Sequence, residues 1–284
     1  MVLEIKLNKL AGVITRCWTQ AETNLAQAIA VEHWNPPEEF ITFLLEDKLR
    51  LAVNAASASG QIERAFLADL RSQIDGFSHS DDHKFAGLIA SVNPHTKPHE
   101  SKVSAADFGL LIIRPQVRLR QWSLENIECS REHATALLVQ AKLGHNKQGQ
   151  EYRWGRLKKK QEDLFLQHQQ YYSLLLYRLR GMEANKLEAL SWQLCHGATV
   201  EDAKNWLRSG IFPGEIQSSD LLKRLFARQI GTEDPQIIKT VIAPDAHTRR
   251  TIEIHISWPP GSGPPPSCRL RHYHRETIEQ KIYQ

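Results

Sequence analysis

Apolar residues recur at helical spacing through the first part of the chain and predict three amphipathic helices. The first covers residues 11–30. A second begins at the sequence Asn-Pro-Pro-Glu-Glu, residues 35–39, because proline and acidic residues suit the first turn of a helix. Its inward residues are predicted to be Phe40, Phe43, Leu44 and Ala52. The third follows a Ser/Gly break and covers residues 61–73.

Continuous apolar runs of strand length come next. Residues 107–113 and 135–142 have no alternation of polar and apolar positions, so we expect interior strands that are covered on both faces. A helix over residues 161–172 leads to a third buried strand, residues 173–177. Polar stretches at residues 78–82 and 93–100 predict loops. The fold class is therefore α/β, with a mixed central sheet flanked by helices.

The composition changes after residue 180, and we predict two domains. Residues 1–180 form the α/β core, and residues 181–284 form a mainly helical extension that ends in a β-hairpin and a Pro-rich tail. The helices of the extension are predicted at residues 185–195, 199–209 and 219–230. The hairpin is predicted from residues 237–243 and 251–258, the second of which alternates strictly between apolar and polar positions.

Positive charge is concentrated in one segment, although the net charge of the whole chain is only +4. Residues 114–160 contain eleven Lys or Arg and four Glu, and this field would attract a phosphate backbone. The alternative is a solvated basic helix start at residues 156–160. The candidate nucleic-acid contacts are Arg114, Arg118, Arg120, Lys147, Arg153, Arg156, Lys158, Lys159 and Lys160.

Several classes of protein are unsupported by the sequence. No apolar run approaches the roughly 18 residues that cross a bilayer, and the N-terminus does not resemble a secretory signal. The four cysteines are widely separated, so we expect reduced thiols and a cytoplasmic protein with no membrane partner. Phosphate-binding glycine loops, the nucleophile elbow of serine hydrolases and the metalloprotease helix motif are absent from the sequence.

Ionisable and amide residues stand at the ends of the two long apolar runs. Asp107 begins one run, and Gln140 and Lys142 end the other on the same strand face, because they are two residues apart. If the two strands are neighbours, these residues converge on a site where a carboxylate holds a divalent cation and a lysine orients water. If they are not neighbours, the same residues are ordinary strand ends.

Asp followed by Gln-x-Lys at a strand end resembles the restriction-endonuclease-like PD-(D/E)xK superfamily, and the Mrr-like branch in particular. Residues 38–45 resemble its first core helix, which contributes a glutamate. Glu100 followed by Ala-Asp107 resembles its acidic strand start, and Tyr152, Gln161 and residues 171–177 resemble its following helix and strand. The resemblance covers residues 35–180. The surrounding sequence is also similar to bacterial nuclease-like proteins that occur among anti-phage defence genes.

The resemblance implies an Mg²⁺-dependent endonuclease with a restriction-endonuclease-like core, acting on DNA in a bacterial defence or restriction system. Mn²⁺ could replace Mg²⁺. The implied partners are nucleic acid and a co-encoded defence protein (an ATPase or a sensor), and a homodimer is left open. The implied catalytic residues are Asp107, Gln140, Lys142, Glu39 and Gln161, and the implied metal ligands are Asp107, Glu39, Glu38, Gln140 and Glu100.

The chain departs from the family pattern in two places. Ser104-Ala105 stands where a glycine is expected, and the distance from Asp107 to Gln140 implies an insertion at residues 114–133, either a basic DNA-facing loop or a long hairpin. As in the Mrr-like branch, glutamine stands at position 140 in place of the usual second acid of the superfamily. The alternative function is therefore a catalytically inactive module of the same fold that binds nucleic acid or a partner protein.

Overall fold

A computed structural model describes residues 2–3, 5–31, 36–73, 89–96, 106–120, 123–147, 151–181, 186–242 and 248–257. Its helices are α1 (Asn8–Val31), α2 (Glu38–Ala58), α3 (Gln61–Arg71), α4 (Lys159–His168), α5 (Val200–Ser209), α6 (Ser218–Phe226) and α7 (Pro235–Ile242). Its strands are β1 (Val2–Leu3), β2 (Ile89–Thr96), β3 (Ala106–Arg120), β4 (Ser123–Lys147), β5 (Arg153–Trp154), β6 (Tyr172–Gly181), β7 (Lys186–Leu194), β8 (Glu215–Ile216) and β9 (Thr248–Ser257).

The described strands form one mixed sheet. Seven of them lie in the order β2-β9-β3-β4-β6-β7-β8, while β1 pairs with β3 and β5 pairs with β4. The pair β3–β4 is antiparallel, whereas β4–β6 and β3–β9 are parallel. The predicted α/β class with a mixed sheet flanked by helices is therefore confirmed.

Helices cover the central strands on both faces, which explains their continuous apolar sequences. On one face Phe108 and Val139 pack with side chains of α1, α2, α3 and α6. On the opposite face Leu111 and Leu138 pack with side chains of α4, α5 and α7. Successive residues of one strand thus serve different cores, so no polar face is left to produce alternation.

Helix α2 packs on the core partly as predicted, since Leu44 and Ala52 contact it, but its fully buried stripe consists of other residues. Its buried positions include Ile41, Leu45 and Leu49, at the four-residue spacing of a helix stripe. Phe43, predicted to face inward, is 48% exposed and lies beside Phe40 at a ring-centroid distance of 6.2 Å. The prediction for Phe43 is wrong because the aliphatic stripe, rather than the larger aromatic rings, meets the sheet.

The helices predicted at residues 199–209 and 219–230 of the extension coincide with α5 and α6, but its other elements require correction. Residues 185–195, predicted as a helix, contain β7, which pairs with β6 across the predicted domain boundary. Residues 237–243, predicted as a strand, lie largely in α7, so the predicted hairpin is also wrong. The final strand β9 instead lies between β2 and β3. Pairing with a distant strand decided these elements, and local propensity carries little information about it.

Two polar segments became strands. The predicted loop at residues 93–100 overlaps β2, which continues to Thr96 and accommodates Pro94 at the edge of the sheet. The predicted insertion at residues 114–133 is a long hairpin formed by extensions of β3 and β4. Of the two alternatives considered for it, the hairpin is confirmed.

Strand β4 is 25 residues long. It extends beyond β6 in its first part and beyond β3 in its last part. On one side β6 pairs with it only from Leu138 onward. Before that point a loop takes the place of β6: Ala136 N donates to Thr232 O at 2.8 Å, and Thr232 N donates to Ala136 O at 2.9 Å. The loop thereby satisfies backbone groups that would otherwise be buried without partners.

We expect Gly231→Ala to destabilise the protein because this loop approaches β4 very closely. Gly231 has φ +83°, and a Cβ there would lie 2.8 Å from the Ala136 carbonyl oxygen. The left-handed φ costs an alanine about 1–2 kcal/mol, and the overpacking should add about 1–3 kcal/mol. Urea unfolding measures the change. Gly197→Ala is the matched control, since Gly197 has φ +74° but no atom within 4 Å of the added Cβ; equal losses in both variants would contradict the close approach.

A buried polar network joins α1, α6 and β7. Trp18 Nε1 donates to Glu22 Oε1 at 2.9 Å, and the Ser218 hydroxyl donates to the same oxygen. Trp192 Nε1 donates to Ser218 Oγ at 2.7 Å. Burial raises the pKa of Glu22, and the hydrogen bonds from Ser218 and Trp18 offset part of this change. The folded state therefore favours the protonated carboxyl more than the unfolded chain does.

We expect Glu22→Gln to stabilise the protein increasingly as the pH rises. A raised carboxyl pKa gives a stabilising contribution that is complete below the unfolded-state pKa and is lost as pH rises through the folded-state pKa. A glutamine keeps an acceptor oxygen without a charge to bury. The melting temperatures of both proteins, followed by circular dichroism from about pH 4 to about pH 8, should diverge. The exposed Glu151→Gln is the control, and a difference independent of pH would contradict the expectation.

Candidate functional site

Gln140 and Lys142 lie where the end of β4 is left without β3. The last recorded β3–β4 pair is Phe108 with Val139, and β5 pairs with β4 only from Gly144. Residues 140–143 therefore have β6 on one side and neither β3 nor β5 on the other. We call this stretch the β4 gap.

The two predicted site strands are neighbours, as the nuclease hypothesis requires. Asp107 directly precedes Phe108, and Gln140 directly follows the partner of Phe108, so the backbone of Asp107, the second residue of β3, lies beside the β4 gap. The Asp107 side chain lies outside the described ones, and Glu100 lies outside the described residues. Their roles stay predictions.

Lys142 is a buried cation, with only 4% of its surface exposed. Its Nζ donates to Gln161 Oε1 at 3.4 Å, and its Cδ lies 4.0 Å from the position of a Cβ built on Gly155. Gln161 Oε1 also accepts from Lys158 N at 2.9 Å, so the same side chain closes the first turn of α4. Gln161 therefore contacts both the backbone at the start of its own helix and the ammonium of Lys142, so a structural role and a role at the site are each supported by one contact.

Gln140 is completely buried and lies on the strand face of Lys142. Tyr172 OH donates to Gln140 Oε1 at 3.4 Å, and Gln140 Nε2 donates to Ala141 O at 3.2 Å. Tyr172, itself 1% exposed, was not among the predicted residues. Nothing in its local sequence marks it, because only the parallel register of β6 beside β4 brings it to Gln140.

Of the two acids at the start of α2, Glu38 is the one that contacts the β4 gap. Its Oε2 accepts from Leu143 N at 2.8 Å, whereas Glu39 is exposed. Helix periodicity explains the difference, since Glu38 shares a face with Ile41, Thr42 and Leu45. Thr42 reinforces this docking through a hydroxyl contact of 3.1 Å with Tyr177 OH on β6.

Glu38 brings a carboxylate oxygen from α2 to the backbone of the β4 gap, and Gln140 has an amide oxygen on the sheet face opposite to the one that α2 covers. Mg²⁺ prefers such ligands, so the donor chemistry fits the predicted cation. Among the described side chains there is no group of three or more His, Cys, Asp and Glu arranged to hold a metal. The side chain of Asp107 and residue Glu100 are not among these described side chains.

The predicted basic residues divide into three groups. Arg114 is 4% exposed, donates to Phe226 O at 2.9 Å and forms an ion pair with Glu233. It therefore anchors the loop beside β4 and does not lie on the surface. The side chains of Arg118, Arg120, Lys147 and Lys160 are outside the described ones. Those of Arg153, Arg156, Lys158 and Lys159 are exposed.

A pocket of about 930 Å³ opens beside the β4 gap and was not predicted. Its walls are formed by residues around β5, by the start of α4 and by α5. The lining residues are Glu151, Tyr152, Arg153, Trp154, Arg156, Leu157, Glu162, Lys204, Leu207 and Arg208. The sequence offered basic and aromatic residues at 152–156 as a signal, but the contribution of α5 depends on tertiary packing.

Comparisons with protein-family models, curated proteins and solved structures found no match for this chain. Within the part of the chain that the structure describes, no helix is both long enough and apolar enough to cross a membrane. The site must therefore be interpreted from its own residues.

We expect Gln161→Glu to stabilise the protein through Lys142. The carboxylate would face an ammonium 3.4 Å away in a buried setting, where pairing is stronger than at the surface. A glutamate also suits the first helical turn, so the Lys142 contribution must be isolated with Lys142→Met and the double variant. A coupling free energy of about 0.5–3 kcal/mol is expected from urea unfolding. Additive effects would contradict the contact.

Proposed function

We propose that this protein is a metal-dependent phosphodiesterase that cleaves nucleic acid, with DNA as the substrate. The observation that carries the proposal is the buried Lys142 in the β4 gap, with Gln161 beside it and Glu38 bonded to the next backbone amide. Three segments distant in sequence supply these groups.

The burial of Lys142 supports an anionic ligand. A lysine is rarely this buried unless an acid or another anion accompanies it, because desolvating an ammonium is costly. The contact recorded for its Nζ is with a neutral amide. A substrate phosphate, or the carboxylate of Asp107 at the adjacent strand start, would supply the opposite charge.

Each residue has a distinct proposed role. Asp107 and Glu38 would hold Mg²⁺ or Mn²⁺, which when bound activates water and stabilises phosphate charge. Lys142 would orient the attacking water and offset negative charge, and Gln161 would position its ammonium through the 3.4 Å contact. Gln140 would position water or contribute its amide oxygen. Glu38 rather than Glu39 is assigned this role, because Glu39 is exposed while Glu38 contacts the β4 gap.

A non-catalytic module of the same fold is the second candidate. Gln140 is neutral and completely buried, and its amide oxygen and nitrogen contact Tyr172 and Ala141. An amide held in this way binds a cation more weakly than a carboxylate would. In that case the protein would bind nucleic acid or a partner protein without cleaving.

The wider context of the proposal rests on the resemblance to the PD-(D/E)xK superfamily. That resemblance would imply a cytoplasmic protein of a bacterial defence or restriction system, with a co-encoded ATPase or sensor as partner. A homodimer is compatible with it. Isolation of the protein with its neighbouring gene product would identify such a partner.

Supercoiled plasmid with Mg²⁺ or Mn²⁺ tests catalysis. We expect the wild-type protein to nick it and Lys142→Met and Asp107→Asn to lose about 100-fold or more in rate, as removal of a catalytic electrostatic contact usually does. Lys223→Met and Asp220→Asn are the matched controls, since both residues are exposed on α6. They should cleave at the wild-type rate.

Two outcomes would count against the proposal. Equal cleavage by Lys142→Met, Asp107→Asn and the controls would reject the site. Absence of cleavage by the wild type with either cation, together with retained binding of the plasmid, would favour the non-catalytic module.

A further inference from the structure

The pocket beside β5 has more positive than negative charge. Arg153, Arg156, Lys204 and Arg208 line it, against Glu151 and Glu162. Lys204 Nζ is paired with Glu162 Oε1 at 2.9 Å. Among the ion pairs of the described residues, none involves Arg153, Arg156 or Arg208, and all three are exposed.

The aromatic wall of the pocket is held rigidly. Trp154 lies against Gly144, where an added Cβ would be 2.9 Å from the indole, and the Arg178 guanidinium carbon is 5.4 Å from the centre of its ring. Tyr152 lies 5.9 Å from Trp154 between ring centroids, and its hydroxyl donates to Glu188. Stacking of a ligand on these rings therefore costs the protein little side-chain entropy, because the rings are already held in place.

The pocket adjoins the β4 gap. Gly155 stands between the lining residues Trp154 and Arg156, and the stem of Lys142 lies against it. Glu162, another lining residue, follows the Gln161 that contacts Lys142. A chain of phosphates that reached Lys142 could thus continue into the pocket over a short distance.

We propose that this pocket binds an unpaired nucleotide segment of the substrate strand, with its phosphates on Arg153, Arg156 and Arg208 and a base beside Tyr152. Arginine with a fixed aromatic ring is the combination that recognises single strands. A volume of about 930 Å³ is that of pockets which enclose most of a small ligand, whereas a duplex requires a far more extended surface. Binding in the pocket rests on the proposed function in one respect only, namely that the same substrate strand passes Lys142.

Binding without cleavage tests the pocket. Fluorescence anisotropy in EDTA would compare a labelled oligothymidylate with a duplex of equal length, using the whole chain. We expect the single strand to be preferred and Arg156→Ala/Arg208→Ala to weaken its binding about tenfold or more. The salt dependence of log K should become shallower by about 1.4, since each single-strand phosphate contact contributes about 0.7.

A second set of variants tests stacking. Tyr152→Ala should weaken binding about tenfold, because base–aromatic stacking is lost, whereas Tyr152→Phe keeps the ring and should bind nearly as well as the wild type. Arg64→Ala/Arg224→Ala is the control, because both arginines are exposed on helices of the opposite sheet face. Circular dichroism confirms that each variant is folded.

The outcomes separate the pocket from the catalytic proposal. Preference for the duplex, or equal effects of the pocket and control arginine pairs, would overturn the pocket. Displacement of the oligonucleotide by polyglutamate as readily as by unlabelled strand would also overturn it, in favour of an acidic peptide. Free thymidine monophosphate competing as well as the oligonucleotide would show a mononucleotide site instead. If binding depends on Arg156 and Arg208 but the wild-type protein does not cleave plasmid with Mg²⁺ or Mn²⁺, the pocket proposal stands and the proposed catalysis fails.

Discussion

The difference in length between β4 and its neighbours is the constraint on which the rest of the structure depends. A strand inside a sheet must find partners for its backbone groups on both sides, and β4 outlasts β6 at one end and β3 at the other. At the first end Thr232 takes the missing place, and Arg114 with Glu233 secures its loop. At the second end the carboxylate of Glu38 accepts from Leu143 N. The loop at the first end pairs with β4 through its backbone, whereas in the β4 gap the partner of Leu143 N is a side chain.

That contrast is the reason why the proposed chemistry is assigned to the second end. In the β4 gap the groups beside the strand are a carboxylate, two amides and an ammonium, which can exchange a protein partner for a ligand. The buried ammonium of Lys142 favours an anion, and the oxygen donors favour a hard cation. A metal with a bound phosphate supplies both. The neutral Gln140 weakens the cation side of this balance, and it is the residue on which the catalytic and the non-catalytic proposal differ.

The sequence predicted the core better than the periphery. The apolar runs that contain Phe108 and Leu138 are long, so their burial on both faces could be predicted from composition. The strand β7 could not, because its Leu- and Ala-containing sequence suits a helix as well, and pairing with β6 decides the matter. For the site, Gln140 and Lys142 could be selected from their positions at a strand end and Gln161 from the family resemblance, but which of Glu38 and Glu39 contacts the sheet could not be predicted.

The sequence by itself determined the α/β class, the two central strands and the amide and lysine at the end of one of them. These properties depend on local hydrophobic pattern, which adjacent residues carry. Only the tertiary structure decided that β3 stops short of Gln140, that Tyr172 lies beside that amide, and that α5 completes a pocket next to Lys142. Strand order, register and the rotation of a helix about its axis depend on contacts between segments far apart in the chain, and such contacts leave no pattern in either segment alone.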